Sequence, residues 1–155
     1  MGILAIFLLM GCSQKVELPP TSPWIENQVS ETITFHGVPV EILDRLIQSE
    51  SSWNHNAVNN SHGERSIGLA QVNTKWLSYF RERFGLQDPL NPWQAVEFAA
   101  KYLYFLYEQT GIWEDAIIAY KAGLQRVHRV GPQLRRLARW VATGVKYEES
   151  EIAEE

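Results

Sequence analysis

Residues 38–52 read VPVEILDRLIQSESS, and the spacing within them decides how the chain folds around its candidate site. Pro39 suits the first turn of a helix, and Val40, Leu43 and Ile47 follow at helical intervals. Glu50 continues that series one step further. The pattern therefore predicts a helix that carries a carboxylate on its apolar face, at its C-terminal end. Burial disfavours the charged carboxylate there, and the negative end of the helix dipole disfavours it again. Both effects raise the pKa, which keeps a carboxylic acid protonated near neutral pH and fits it for general acid catalysis. The competing reading of the spacing is a glutamate at a frayed helix end, pointing to water.

Outward from this helix, residues 51–66 are polar and rich in asparagine, with Gly63 among them, which predicts loop with at most short strands. Ile67 to Val72 is short and apolar, a candidate strand. Asn73 or Thr74 then caps a helix through Phe84 that stacks Trp76, Phe80 and Phe84 at four-residue steps, so Trp76 and Phe80 are expected in the core; Gly85 stops it. Asn91-Pro92 opens a helix to about Gln109 that buries Val96, Ala100, Leu103 and Tyr107. A shorter helix spans Glu114 to Ala122 and ends at Gly123. After Gly131-Pro132 a last helix turns Leu134, Leu137 and Val141 inward and Arg135, Arg136 and Arg139 outward. The fold class expected is α+β, mostly α, with a small loop or hairpin region after the first helix.

A chain of 155 residues holds one domain of ordinary size. Its 45 % hydrophobic and 21 % charged residues exclude a disordered chain, a collagen-like repeat and a polytopic membrane protein. A single Cys excludes an internal disulfide framework and argues against a thiolate zinc site. His55 and His62 share the polar loop, but two His without further ligands make a poor metal site, so no cofactor is expected. No phosphate-binding loop, dinucleotide fingerprint or nucleophile elbow is present. The net charge of −4 argues against nucleic acid, yet it is unevenly spread. Residues 147–155 hold five glutamates, whereas Lys121 to Lys146 contains seven Lys or Arg and no acid. That basic stretch is either a solvated helix face or a surface for an anionic polymer.

Residues 1–11, MGILAIFLLMG, form an apolar run of signal-peptide length, too short to span a bilayer. The run ends in Leu9-Met10-Gly11-Cys12, which resembles the lipobox of bacterial lipoproteins. That resemblance implies cleavage before Cys12, acylation of its new N-terminus and stable membrane anchoring by several acyl chains. Ser13 after the Cys suits sorting to the periplasmic face of the outer membrane. A free N-terminal anchor helix is the alternative. Residues 12–36, with Pro19, Pro20 and Pro23, then read as the lipidated Cys and a flexible tether reaching roughly 80 Å when extended. The expected organisation is thus signal 1–11, tether 12–36, folded domain 37–146 and acidic tail 147–155.

Three segments carry a second resemblance. SESSWNHNAVN at 49–59, SIGLAQVN at 66–73 and AIIAYKAG at 116–123, in that order, resemble the lytic transglycosylase domain of the lysozyme-like superfamily. They look most like its small, single-domain members associated with secretion and conjugation machines. The resemblance spans roughly residues 38–125. It implies a lysozyme-like fold, peptidoglycan glycan strands as substrate, a monomer, and a secretion or conjugation apparatus as a possible partner. It also implies that Glu50 is the catalytic acid and base, that Ser51 helps hold the turn after it, and that Gln71 lines the sugar groove. Tyr120 resembles the tyrosine whose hydroxyl contacts the catalytic carboxylate. Three positions depart from the pattern. Ala70 stands where the family usually has Met, and Asn59 where some larger relatives carry a substrate-binding Ser. Lys121 replaces the usual Asn. Following Tyr120 near the end of a helix, Lys121 either brings its ammonium to Glu50 or lines the groove and meets carboxylates of the substrate.

The activity implied is cleavage of the β-1,4 bond between N-acetylmuramic acid and N-acetylglucosamine, closing a 1,6-anhydro ring without water. One carboxylate suffices for this chemistry, and Glu64, the other acid between Glu50 and Gln71, reads as a solvated loop residue. The rival readings are a hydrolytic muramidase of goose type and a catalytically idle glycan-binding or assembly protein. With six Trp and six Tyr, stacking on sugar faces is an option beside core packing. Trp53, beside Glu50, fits either role.

Overall fold

The computed structural model describes residues 34–61 and 63–146. Cys12, the apolar run before it, the tether up to residue 33 and the acidic tail lie outside the described residues. Strands β1 (Thr34–Phe35) and β2 (Val38–Pro39) form a two-stranded antiparallel hairpin, and helix α1 (Val40–Ser51) follows at once. A three-stranded antiparallel sheet comes next, with β3 (Val58–Ser61), β4 (Glu64–Ile67) and β5 (Val72–Asn73) in that order. A 3-10 segment (Thr74–Trp76) leads into α2 (Leu77–Phe84). The remaining elements are α3 (Pro92–Thr110), α4 (Trp113–Ala122), a second 3-10 segment (Leu124–Arg129) and α5 (Pro132–Thr143). The result is mostly helical with a small β region, consistent with the lysozyme-like α+β class expected.

The helices begin and end where their chemistry directs. The Asn91 side chain accepts from the Gln94 N–H, with Pro92 in the first turn of α3. Gly85, Gly111 and Gly144 close α2, α3 and α5 in the left-handed conformation that glycine adopts without penalty. Helix α3 runs through the middle, with Ala95, Ala99, Ala100 and Leu103 fully enclosed, and α4 packs along it. Helix α1 buries Leu43, Leu46 and Ile47 against both α3 and α5. Arg45 on α1 reaches across to donate from Nε to the Val141 carbonyl at 2.7 Å, satisfying a group that the end of α5 leaves open.

Three expectations change. The apolar run Ile67–Val72 is a tight turn between two strands, because Gly68 (φ +76°) and Gln71 (φ +48°) are both left-handed. Trp76 is 52 % exposed and lies outside the core, although Phe80 is buried as expected. The chain winds through its 3-10 segment at three residues per turn before α2 starts, and this rotates Trp76 off the apolar face. Residues 34–36, assigned by sequence to the tether, belong to the first hairpin; Phe35 is buried and meets Trp93 edge-on at 5.9 Å.

Gly68 tolerates no side chain. A Cβ there would overlap the Pro89 carbonyl oxygen, a backbone atom that cannot turn aside. Its positive φ adds the steric cost that any L-residue bears in this region. Gly68→Ala is expected to lower stability by at least about 2 kcal/mol, read as a fall in the urea midpoint with unchanged slope.

Candidate active site

A cleft of about 660 Å³ lies between one face of the three-stranded sheet and the C-terminal end of α4. The pairing register builds its polar wall. Asn59 faces Ser66 across β3 and β4, and Ser66 faces Asn73 across β4 and β5, so these three side chains form one row on one face. All three line the cleft. Glu64 lies two residues before Ser66 and joins the same face. Its carboxylate is half exposed, accepts from the Asn73 amide at 2.7 Å and faces Lys75 at 3.6 Å.

Glu50 enters from the far side, one residue before the end of α1. Its side chain is only 12 % exposed. The chain then turns sharply, with Ser52 (φ +51°) and Trp53 (φ +61°) both left-handed. Such residues each cost about 1–2 kcal/mol, so the surrounding structure must hold them. The Ser51 hydroxyl donates back to the Ile47 carbonyl at 3.4 Å, and the Trp53 indole N–H donates to Asp44 at 3.2 Å. Trp53 thus packs on the core as a brace behind Glu50, which decides between its two sequence readings in favour of structure.

Lys121 places its ammonium 2.8 Å from Glu50 Oε1, and its own side chain is 14 % exposed. The contact is an ion pair in a site with little solvent. Burial pushes the Glu50 carboxyl above its ordinary value, and the Lys121 charge pulls it part of the way back. Burial wins. The geometry brings the Lys121 ammonium to Glu50, and the residue also lines the cleft.

Tyr120 differs from its expected contact. Its hydroxyl donates to the Ala70 carbonyl at 2.9 Å, so its single proton is engaged there rather than with the Glu50 carboxylate. Burial first, and then the neighbouring Glu50 charge, hold the phenol well above the ordinary tyrosine value. It stays protonated and ties α4 to the turn after β4. Gln71 lines the cleft as expected, but its amide donates to the carbonyls of Gly68 at 3.0 Å and Ala57 at 3.4 Å. Only its oxygen is left to accept from a ligand.

A single buried carboxylate at a helix end, in a cleft walled by a small sheet, is the arrangement to set beside known families. The model of the transglycosylase SLT domain matches residues 29–142. The chain belongs to that family. No solved structure matches it. In this SLT domain the sequence-derived residues Glu50, Asn59, Ala70, Gln71, Tyr120 and Lys121 all border one cleft, and Ser51 supports it from behind.

Among the other residues of the SLT domain that border the cleft are Trp76, which sequence placed in the core, and Arg126, to which sequence gave no role at the site. Trp76, on the cleft rim, has Lys75 Nζ 5.6 Å from its ring centre. Arg126, from the 3-10 segment after α4, has no local motif around it. Its only signal is a place in the acid-free stretch that begins at Lys121.

Tyr120→Phe removes one hydroxyl and one long-range hydrogen bond, typically a net contribution of about 1 kcal/mol. The expected result is a severalfold fall in turnover with a small drop in melting temperature. Full turnover in this variant would make Tyr120 a packing residue.

Proposed function

We propose that this chain is a lytic transglycosylase that cleaves the MurNAc-β-1,4-GlcNAc bond of peptidoglycan and leaves 1,6-anhydro-MurNAc ends. The observation that carries the reading is Glu50: a buried carboxyl with a raised pKa, bordering a cleft of about 660 Å³. Protonated Glu50 gives its proton to the glycosidic oxygen as the C1–O bond breaks. The N-acetyl group of the muramoyl unit stabilises the developing cation, so a second carboxylate is dispensable. Glu50, now a carboxylate, takes the proton of the C6 hydroxyl while O6 bonds to C1. The proton count closes and Glu50 is ready again. Glu64, the other cleft carboxylate, is tied to Asn73 and Lys75 on the opposite wall, which favours the one-acid route over a water-activating pair.

Purified sacculi incubated with the full chain should release soluble glycan fragments. A chain that sediments with sacculi and releases none would be a binding or assembly protein instead. We also place the protein on the periplasmic face of the outer membrane, anchored through Cys12, on sequence grounds. Palmitate labelling should mark the wild type and not Cys12→Ser; equal labelling of both, or of neither, would remove the anchor.

A further inference from the structure

Beside the main cleft lies a recess of about 580 Å³, bordered by Asn59, Ser61, Glu64, Ser66, Lys121 and Arg126. Asn59, Glu64, Ser66, Lys121 and Arg126 border both spaces, so the recess is continuous with the cleft that holds Glu50. The charged side chains around the cleft are Glu50, Glu64, Lys75, Lys121 and Arg126. Glu50 pairs with Lys121 and Glu64 with Lys75, which leaves Arg126 as the cation without an acidic partner among the described residues. Lys121 and Arg126 line the same recess, so an anion bound there would face both cations.

We propose that the recess is a subsite for a carboxylate of the muramoyl substrate, held by Arg126, and that Lys121 passes from Glu50 to this carboxylate when it binds. The inference rests on the transglycosylase reading for its substrate. Polar side chains Asn59, Ser61 and Ser66 supply the remaining hydrogen bonds that a desolvated carboxylate needs. Lys121 acts as a positioning residue. While the site is empty its ammonium opposes the effect of burial on Glu50 and holds the carboxyl lower than burial alone would. Once Lys121 turns to the substrate, burial alone governs Glu50, which then holds its proton to higher pH. The other charged or titratable groups bordering the cleft are Tyr120 from α4, Tyr102 from α3, Glu64 and Lys75 from the sheet side, and Arg126 itself. The pairing of Glu64 with Lys75 is independent of the exchange. A muramoyl unit offers two sources of carboxylate, its lactyl group on peptide-free strands and the stem peptide on substituted ones.

The test uses the full chain and an uncleavable thio-linked GlcNAc–MurNAc tetrasaccharide in three forms: free lactyl carboxylate, lactyl methyl amide, and lactyl joined to a stem peptide. Affinity is measured by calorimetry, and the Glu50 carboxyl carbon is titrated by NMR with each ligand bound. The free carboxylate should bind about tenfold more tightly than the amide, a difference of roughly 1.4 kcal/mol, and should move the Glu50 midpoint upward where the amide does not. Arg126→Gln should erase the preference. If the peptide form alone shows both effects, the peptide supplies the carboxylate. Equal binding of all three forms, or a preference that survives both Arg126→Gln and Lys121→Asn, overturns the subsite. Oxygen-linked strands are digested in parallel. Anhydro products without carboxylate preference reject this inference alone, and the preference without anhydro products rejects the transglycosylase reading alone.

Discussion

Glu50→Gln is expected to reduce wall cleavage at least about a thousandfold, since general acid–base catalysis alone contributes roughly a hundred- to ten-thousandfold and this one group serves both proton transfers. The amide is nearly isosteric and cannot donate a proton of suitable acidity to a leaving oxygen. The fold should survive. The last turn of α1 is held by Ser51, Trp53 and Asp44 rather than by the Glu50 carboxylate. Circular dichroism and a cooperative melt report the fold, while a zymogram and soluble release from sacculi report the activity. A folded Glu50→Gln protein with normal cleavage would remove Glu50 from the chemistry.

Lys121→Asn should move the upper limb of the kcat/KM–pH profile to higher pH, because an opposite charge at close range favours the ionised acid. The sign follows from the roles. Glu50 must begin protonated, so the rate falls as pH rises through its pKa. The ammonium 2.8 Å from Oε1 stabilises the ionised form and holds that pKa below what burial alone would give. Removing the charge lets burial act unopposed and extends the active range upward. If the proposed passage of Lys121 to a substrate carboxylate is complete in the bound state, kcat moves less than kcat/KM, which reports the free enzyme. A profile in which both upper limbs stay fixed while KM rises would confine Lys121 to substrate binding.

Much of this site is legible because α1 is regular. The interval from Val40 to Glu50 fixes which side of the helix carries the carboxylate, and Asn91-Pro92 marks the start of α3 by local hydrogen bonding alone. Periodicity fails where the backbone leaves its regular period. Trp76 escapes the core because three residues of 3-10 helix precede α2. Residues 68–71 look like strand by composition, yet Gly68 and Gln71 turn the chain back, so that Ser66 pairs with Asn73. The first hairpin is missed because each arm is two residues long; its turn at His36 and Gly37 uses two positive φ angles in succession. The hydroxyl partner of Tyr120 and the approach of Lys121 to Glu50 join parts of the chain fifty or more residues apart, and no local pattern encodes them. Arg126 becomes meaningful only when the charges around the cleft are paired off.

The central claim is that one carboxyl cleaves the glycan without water, and the oxygen of the product reports it directly. Sacculi digested in heavy-oxygen water and analysed by mass spectrometry should yield muropeptides lighter by one water than the reducing forms, with 1,6-anhydro-MurNAc ends and no heavy oxygen incorporated at C1. Reducing MurNAc ends carrying the heavy isotope would mean that water attacks, and the chain would then be a hydrolytic muramidase.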